Sequence, residues 1–153
     1  MPRCSEFCEF KPYIDLQHEK AADLEKAVCA FSNQRGGTMF IGVTKDADID
    51  GFAGDVARGG KEVAPAIATY TDEIRKRLRE ALKDTQCFDL NVESVAGTSV
   101  IVVTVEKSGV INFAVKFQHK GTAFIRHGAT SMKLTPSEIQ AMIEARIAQR
   151  RMV

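Results

Sequence analysis

The stretch Ala30-Phe31-Ser32-Asn33-Gln34-Arg35-Gly36-Gly37-Thr38-Met39-Phe40-Ile41-Gly42-Val43 changes its period midway. Up to Phe31, apolar residues recur at helical spacing: Ala21, Leu24, Ala27, Val28 and Phe31 make one stripe, which predicts a helix over 18–34. Gly36-Gly37 stops it, because glycine reaches positive φ without a Cβ clash, as a helix C-terminus needs. The run 38–43 is short, apolar and bounded by glycine, so it reads as a buried strand. Gly42 within it implies a bulge or the close approach of another backbone. Asn33 ends the helix and can satisfy backbone groups there.

Reading outward, residues 6–11 (E-F-C-E-F-K) are strand-length and aromatic-rich, and Pro12 ends them because proline cannot donate to a ladder. After the central stretch come a turn-rich acidic loop, 44–51, and a glycine-containing loop, 54–64. Residues 66–83 read as a second helix. Ile67, Ile74, Leu78, Ala81 and Leu82 form its buried face, and Arg75, Lys76, Arg77, Arg79 and Lys83 crowd the rest. Four short strands are expected at 88–95, 99–107, 112–118 and 122–126. Gly97-Thr98 connects the first two as a hairpin, and His119-Lys120-Gly121 makes another tight turn. The second of these strands is apolar on both faces and belongs at the centre of the sheet. Thr135-Pro136-Ser137-Glu138 is a capping box with proline at the first helical position, opening a third helix. In that helix Arg146 and Arg150 fall close to the stripe of Ile139 and Ile143, so the helix is expected to leave the core there. Hairpin-connected strands in one block favour an α+β fold over a doubly wound parallel sheet, with a mixed, largely antiparallel sheet and about three helices.

The chain has 153 residues, 44% of them hydrophobic, which suits a single domain over 1–153 with its own core. Lys+Arg is 21 and Asp+Glu is 20. This balance excludes a histone-like basic coat but not a local basic patch. The charge is unevenly spread: residues 1–60 carry 7 Lys/Arg against 10 Asp/Glu, and 61–153 carry 14 against 10. No apolar run approaches the roughly 18 residues of a membrane span, and the N-terminus lacks the apolar segment of a secretory signal. A cytoplasmic protein without membrane contact is expected. The four cysteines agree, since no C-x-x-C pair exists and Cys4 and Cys8 are too far apart along a strand to be bridged.

Several chemistries fail on spacing. Gly54 with Gly59-Gly60-Lys61-Glu62 lacks the Ser/Thr that a phosphate loop needs after lysine, and its glycine register is off by one. His18, His119 and His127 have no partners at zinc-protease or deaminase spacing. Ser131 and Ser137 lack a nucleophile elbow.

Three segments together resemble the Schlafen AlbA-type domain, which is also found in prokaryotic transcriptional regulators. They are Glu9-Phe10-Lys11; the central stretch from Ala30 to Val43, with Asp50-Gly51-Phe52 after it; and Phe124-Ile125-Arg126-His127-Gly128-Ala129-Thr130-Ser131, followed by Leu134-Thr135-Pro136-Ser137-Glu138-Ile139. The family pattern runs E-F-K, then A-F-A-N-T-x-G-G-x-[IL]-x-I-G-V, then a distal [YF]-[IV]-R-x-G-[ST]. The resemblance spans about residues 6–143. It implies a nucleic-acid-binding domain, for DNA or RNA, directed at the backbone and regulatory in role. Arg126, Lys133, Arg75 and Arg79 are the expected phosphate contacts. For Arg126 an ion pair with the first strand's carboxylates is the other open reading.

The resemblance also implies an alternative, a metal-dependent endoribonuclease acting on structured RNA such as tRNA. Glu9, Lys11 and Glu6 would be its catalytic residues, with Mg²⁺ or Mn²⁺ on Glu9 and Asp46. Here the sequence departs from the pattern. The family's other glutamate lies where this chain has Cys4, with Glu6 nearby, and its aspartate after G-V is Thr44, the nearest acids being Asp46 and Asp48. Glu6 and Glu9 also fall on opposite pleat faces. A third reading is a dimerising protein-interaction module. By analogy with animal members, which pair two such lobes, a homodimer is an expectation, as is membership of a longer multidomain protein.

Overall fold

The computed structural model describes residues 5–12, 14–43, 63–95 and 97–151. The chain forms an α+β fold. Its strands are β1 (Cys8–Lys11), β2 (Gly37–Ile41), β3 (Phe88–Val95), β4 (Thr98–Val105), β5 (Phe124–His127) and β6 (Thr130–Lys133). Its helices are α1 (Ala22–Ser32), entered through a 3₁₀ turn at Glu19–Ala21, α2 (Val63–Ala81) and α3 (Pro136–Arg151).

The main sheet has the order β1-β2-β4-β3. β1 and β2 run parallel with Glu9 opposite Met39, joined by the α1 crossover, and the other two pairings are antiparallel. As expected from its two apolar faces, the 99–107 strand is interior. Met39, Ile41, Ile101 and Val103 point to one face, where they meet Leu24, Val28 and Phe31 of α1 and Ile74 and Leu78 of α2. The opposite face carries a smaller cluster of Cys8, Phe10, Val43 and Val100. Burying one such Leu, Ile or Phe side chain contributes roughly 1.5–3 kcal/mol.

The double glycine is required twice over. Gly36 has φ +81°, and a Cβ there would lie 2.3 Å from the Val105 carbonyl oxygen; a Cβ on Gly37 would lie 2.4 Å from the Phe31 ring. Helix and sheet therefore approach closely only because both side chains are missing. Gly42, at φ +103°, is a bulge: its N–H and that of Val43 both donate to the Lys11 carbonyl.

Two expectations are corrected. Residues 112–118 do not form a strand; only Ala114 makes an isolated bridge, to Leu82. Their backbone is engaged elsewhere, with the Ala114 N–H donating to Thr122 and that of Val115 to Ala81. The second strand of the distal pair is instead β6, which turns back on β5 with Arg126 opposite Ser131. Asn33 reaches beyond its own helix end. Its Nδ2 donates to the Asn112 and Phe124 carbonyls at 3.0 and 2.9 Å, and its Oδ1 accepts from the Asn112 N–H at 2.7 Å. One buried amide thus ties α1 to β5 and to the segment before it.

The last helix begins as read, with Thr135 and Glu138 exchanging reciprocal capping-box bonds. Past Met142 it leaves the core as expected, with Ile143 and Ile147 exposed, but it stays tied to the body by hydrogen bonds. Arg146 donates to the Ser108 carbonyl at 2.7 Å and Arg150 to that of Gly109 at 2.9 Å.

Candidate nucleic-acid interface

Strand alternation decides which β1 side chains reach α1. Phe10 and Cys8 face the smaller cluster, so Glu9 and Lys11 share the α1 face. Along α1, Asp23 and Lys26 lie three apart and are therefore neighbours on its surface. The β5–β6 hairpin packs against the same helix and supplies Ala129, Thr130 and Ser131. These elements enclose a cleft of about 170 Å³ lined by Glu9, Lys11, Asp23, Lys26 and the hairpin turn.

The cleft is built on Arg126. Its guanidinium is buried, stacks over the Phe31 ring at 4.6 Å and donates through Nη1 to Glu9 and to the Ser131 hydroxyl. Through Nη2 it donates to the carbonyls of Ser5 and Cys8, at 2.6 and 3.3 Å. Of the two readings open for Arg126, the ion pair is the one found: the arginine stands on the β5–β6 hairpin and points inward. Each link depends on the one before. Gly37 leaves room for the Phe31 ring, the ring carries the guanidinium, and the guanidinium fixes the Glu9 carboxylate and two carbonyls beside β1. Lys11 Nζ lies 3.6 Å from Glu9 and 4.0 Å from Asp23. Lys26 Nζ sits 5.5 Å from the centre of the Phe124 ring, within cation–π range.

The other expected residues do not converge here. Glu6 takes a hydrogen bond of 2.5 Å from Gln34 and does not line the cleft. Asp46 lies outside the described residues. Lys133 is exposed, opposite Phe124 on the hairpin, and so shares the hairpin face of Arg126 and Ser131. Arg75 belongs to α2, where it pairs with Asp72 at 2.6 Å and reaches the Leu90 carbonyl of β3. Arg79, one turn on, is exposed on that same side. β3 and β1 are opposite edges of the sheet, so Arg75 and Arg79 stand away from the cleft. Arg77 is a structural anchor, bidentate at 2.9 Å to the fully buried Glu25. Asp23 and Lys26 were missed in the sequence. Their three-residue spacing on the rim of the helix stripe was the available sign, but it means little until β1 is known to lie alongside.

A hard divalent cation needs several oxygens in fixed positions. Here one oxygen of Glu9 accepts from Arg126 and the other faces Lys11. Among the described residues, no three of His, Cys, Asp and Glu gather as a ligand set. The described residues of the cleft do not by themselves make a ligand set for Mg²⁺ or Mn²⁺. The described residues also contain no helix long and apolar enough to cross a membrane.

Among solved structures, the chain is similar to the DIP2311 protein from Corynebacterium diphtheriae. The TM-score is 0.63 at 16% identity, over 92% of this chain and 24% of that one. That likeness is one of fold, and the chain spans about a quarter of the other protein's length. No match is found among curated proteins. The sequence profile described as Schlafen, AlbA_2 matches residues 5–135, a span running from just before β1 to the threonine that caps α3, and the chain belongs to that family.

Proposed function

We propose that this domain binds nucleic acid, DNA or RNA, through its phosphate backbone at the cleft between β1, α1 and the β5–β6 hairpin. Family membership is consistent with a nucleic-acid-related role. The observation that carries the reading is that Lys11 and Lys26, from two different elements, line one cleft with Thr130 and Ser131, while the Glu9 charge is met from beneath by Arg126 and the Asp23 carboxylate lies 4.0 Å from Lys11, leaving Lys26 without a carboxylate partner among the described ion pairs. Two ammonium groups and two hydroxyl-bearing residues suit a phosphate, and Lys133 extends the same side. Arg126 acts as a positioning residue, holding the floor rather than touching the ligand. Among the described residues no aromatic ring lines the cleft as a base-stacking platform, so contact is with the backbone and carries little sequence information.

The test is a titration of labelled DNA and RNA, single- and double-stranded, over a range of salt, with and without Mn²⁺. Affinity should fall linearly in log–log form with salt and should not need the metal. Absence of binding to every form at low salt rejects the proposal. Metal-dependent cleavage that vanishes in Glu9→Gln would replace it with a nuclease.

A further inference from the structure

A second surface, on α3, has a different chemistry. The 16-residue helix contains no buried residue. It is held by thin apolar contact, through Ile139 and Met142 onto Ile111, Ala123 and Leu134, and by its two arginine anchors. On its outer flank Ile143 and Ile147 are 43% and 41% exposed, one turn apart, beside Val110 at 46%. These aliphatic groups and Phe113 line a groove of about 260 Å³. An adjoining groove of about 350 Å³ continues along 107–109. The rims carry Lys83, Lys107, Arg146 and Arg150, and among the described residues no carboxylate lines either groove. Burial, and then the neighbouring Arg150 charge, draw the Arg146 pKa below the usual arginine value. The two guanidiniums donate to the carbonyls of adjacent residues, Ser108 and Gly109, so they are like charges held near one another.

We propose that this α3 groove is a docking surface for an acidic amphipathic segment of a protein partner, its aliphatic side chains on Ile143, Ile147 and Val110 and its carboxylates between the arginines. Charge complementarity selects that occupant. Carboxylates placed between Arg146 and Arg150 relieve their repulsion, and aliphatic side chains cover surface that otherwise faces water. A phosphate backbone would answer the rim but leave the aliphatic floor against hydrated sugar and phosphate. Helix-in-groove recognition pairs an apolar stripe with a charged border in the same way. This surface is separate from the cleft, and the inference does not rest on nucleic-acid binding.

The test follows backbone amide shifts of the ¹⁵N-labelled full chain. The probe is a synthetic helical peptide of about 18 residues, with leucine at three- and four-residue spacing and glutamate elsewhere. Its twin carries glutamine for glutamate, and a short DNA duplex forms a third arm. The acidic peptide should shift amides of 107–113 and 143–150 and leave those of Glu9, Lys11 and Lys26 in place. Arg150→Glu and Ile147→Ser should each weaken it by about tenfold, as loss of a contact central to an interface does. Both positions are exposed; an unchanged spectrum over α1 and the sheet confirms that the variants fold, and unchanged amides of 108–113 and 136–142 confirm that α3 stays docked without the Arg150 anchor. Equal binding of the glutamine twin, no response to the acidic peptide, or shifts of these amides by the duplex alone would each overturn the proposal. Failure of the cleft to bind nucleic acid would leave the peptide result standing, so the two readings fail separately.

Discussion

Arg126 and Glu9 are 117 positions apart in the chain and form one ion pair at the floor of the cleft. The arginine is 3% exposed and also serves two backbone carbonyls, so its removal leaves the Glu9 oxygen it meets without that donor and takes one donor from each carbonyl. Arg126→Ala should cost about 3–5 kcal/mol, the range for breaking a buried pair from one side. Urea denaturation should show a lower midpoint with an unchanged slope. Arg126→Lys should recover only part of the loss, because one ammonium cannot span the carboxylate, the Ser131 hydroxyl and both carbonyls. A variant as stable as the parent would mean that the pair contributes nothing to the fold.

The glycines separate into two groups. Gly36→Ala meets both a left-handed backbone and the Val105 carbonyl, so it should destabilise by about 2–4 kcal/mol. Gly121 has a similar φ of +86°, but a Cβ added there would find nothing within 4 Å. Gly121→Ala should therefore cost only about 1 kcal/mol, the left-handed penalty alone. Thermal melts of the two variants should differ accordingly; equal melts would remove the close-approach argument.

Binding should respond to the cleft lysines and not to the far edge of the sheet. Lys11→Ala and Lys26→Ala should each lower affinity across all sequences and flatten the log–log salt slope by about one. Arg79→Ala, on the β3 side, should leave that slope unchanged. Slopes that respond to Arg79 and not to the lysines would move the interface to α2.

The buried thiols should be unreactive in the native state. Burial pushes Cys29 up to about 12, and Cys87 to about 11, from an ordinary value of 9.0. In a Cys4→Ser background, a thiol-specific disulfide reagent at pH 8 should label Cys29 and Cys87 only on unfolding. The sign of the linked stability follows. The unfolded thiols lose their protons near pH 9 while the folded ones keep theirs, so this contribution is complete below about pH 9 and is lost as pH rises through 11–12. Denaturation midpoints should fall over that alkaline range, and Cys29→Ala should reduce the fall.

Local elements were legible where local chemistry dictates them. The Ala21-to-Phe31 stripe, the Gly36-Gly37 stop, the Gly97 turn and the Thr135–Glu138 capping box are each decided within a few residues, and each is found. The 112–118 segment misled because apolar alternation resembles a strand whether or not a partner strand is present; here Leu82, Ala81 and Thr122 take its backbone. β6 was missed because Thr130–Lys133 is short and polar, and only pairing with β5 makes it a strand. The exit of the last helix from the core at Arg146 and Arg150 was legible, but sequence shows their charge and not the Ser108 and Gly109 carbonyls that receive them.

By itself, then, the sequence determined the helix–glycine–strand unit, the α+β class and the family, because backbone conformation and apolar period are local properties. The tertiary structure decided what the charges do. Arg126 turned inward to Glu9, Arg77 was committed to Glu25, Asp23 and Lys26 joined Lys11, and Glu6 went to Gln34. An ion pair is set by which elements lie side by side. That depends on sheet order and on helix packing over it, and no spacing within the chain contains it.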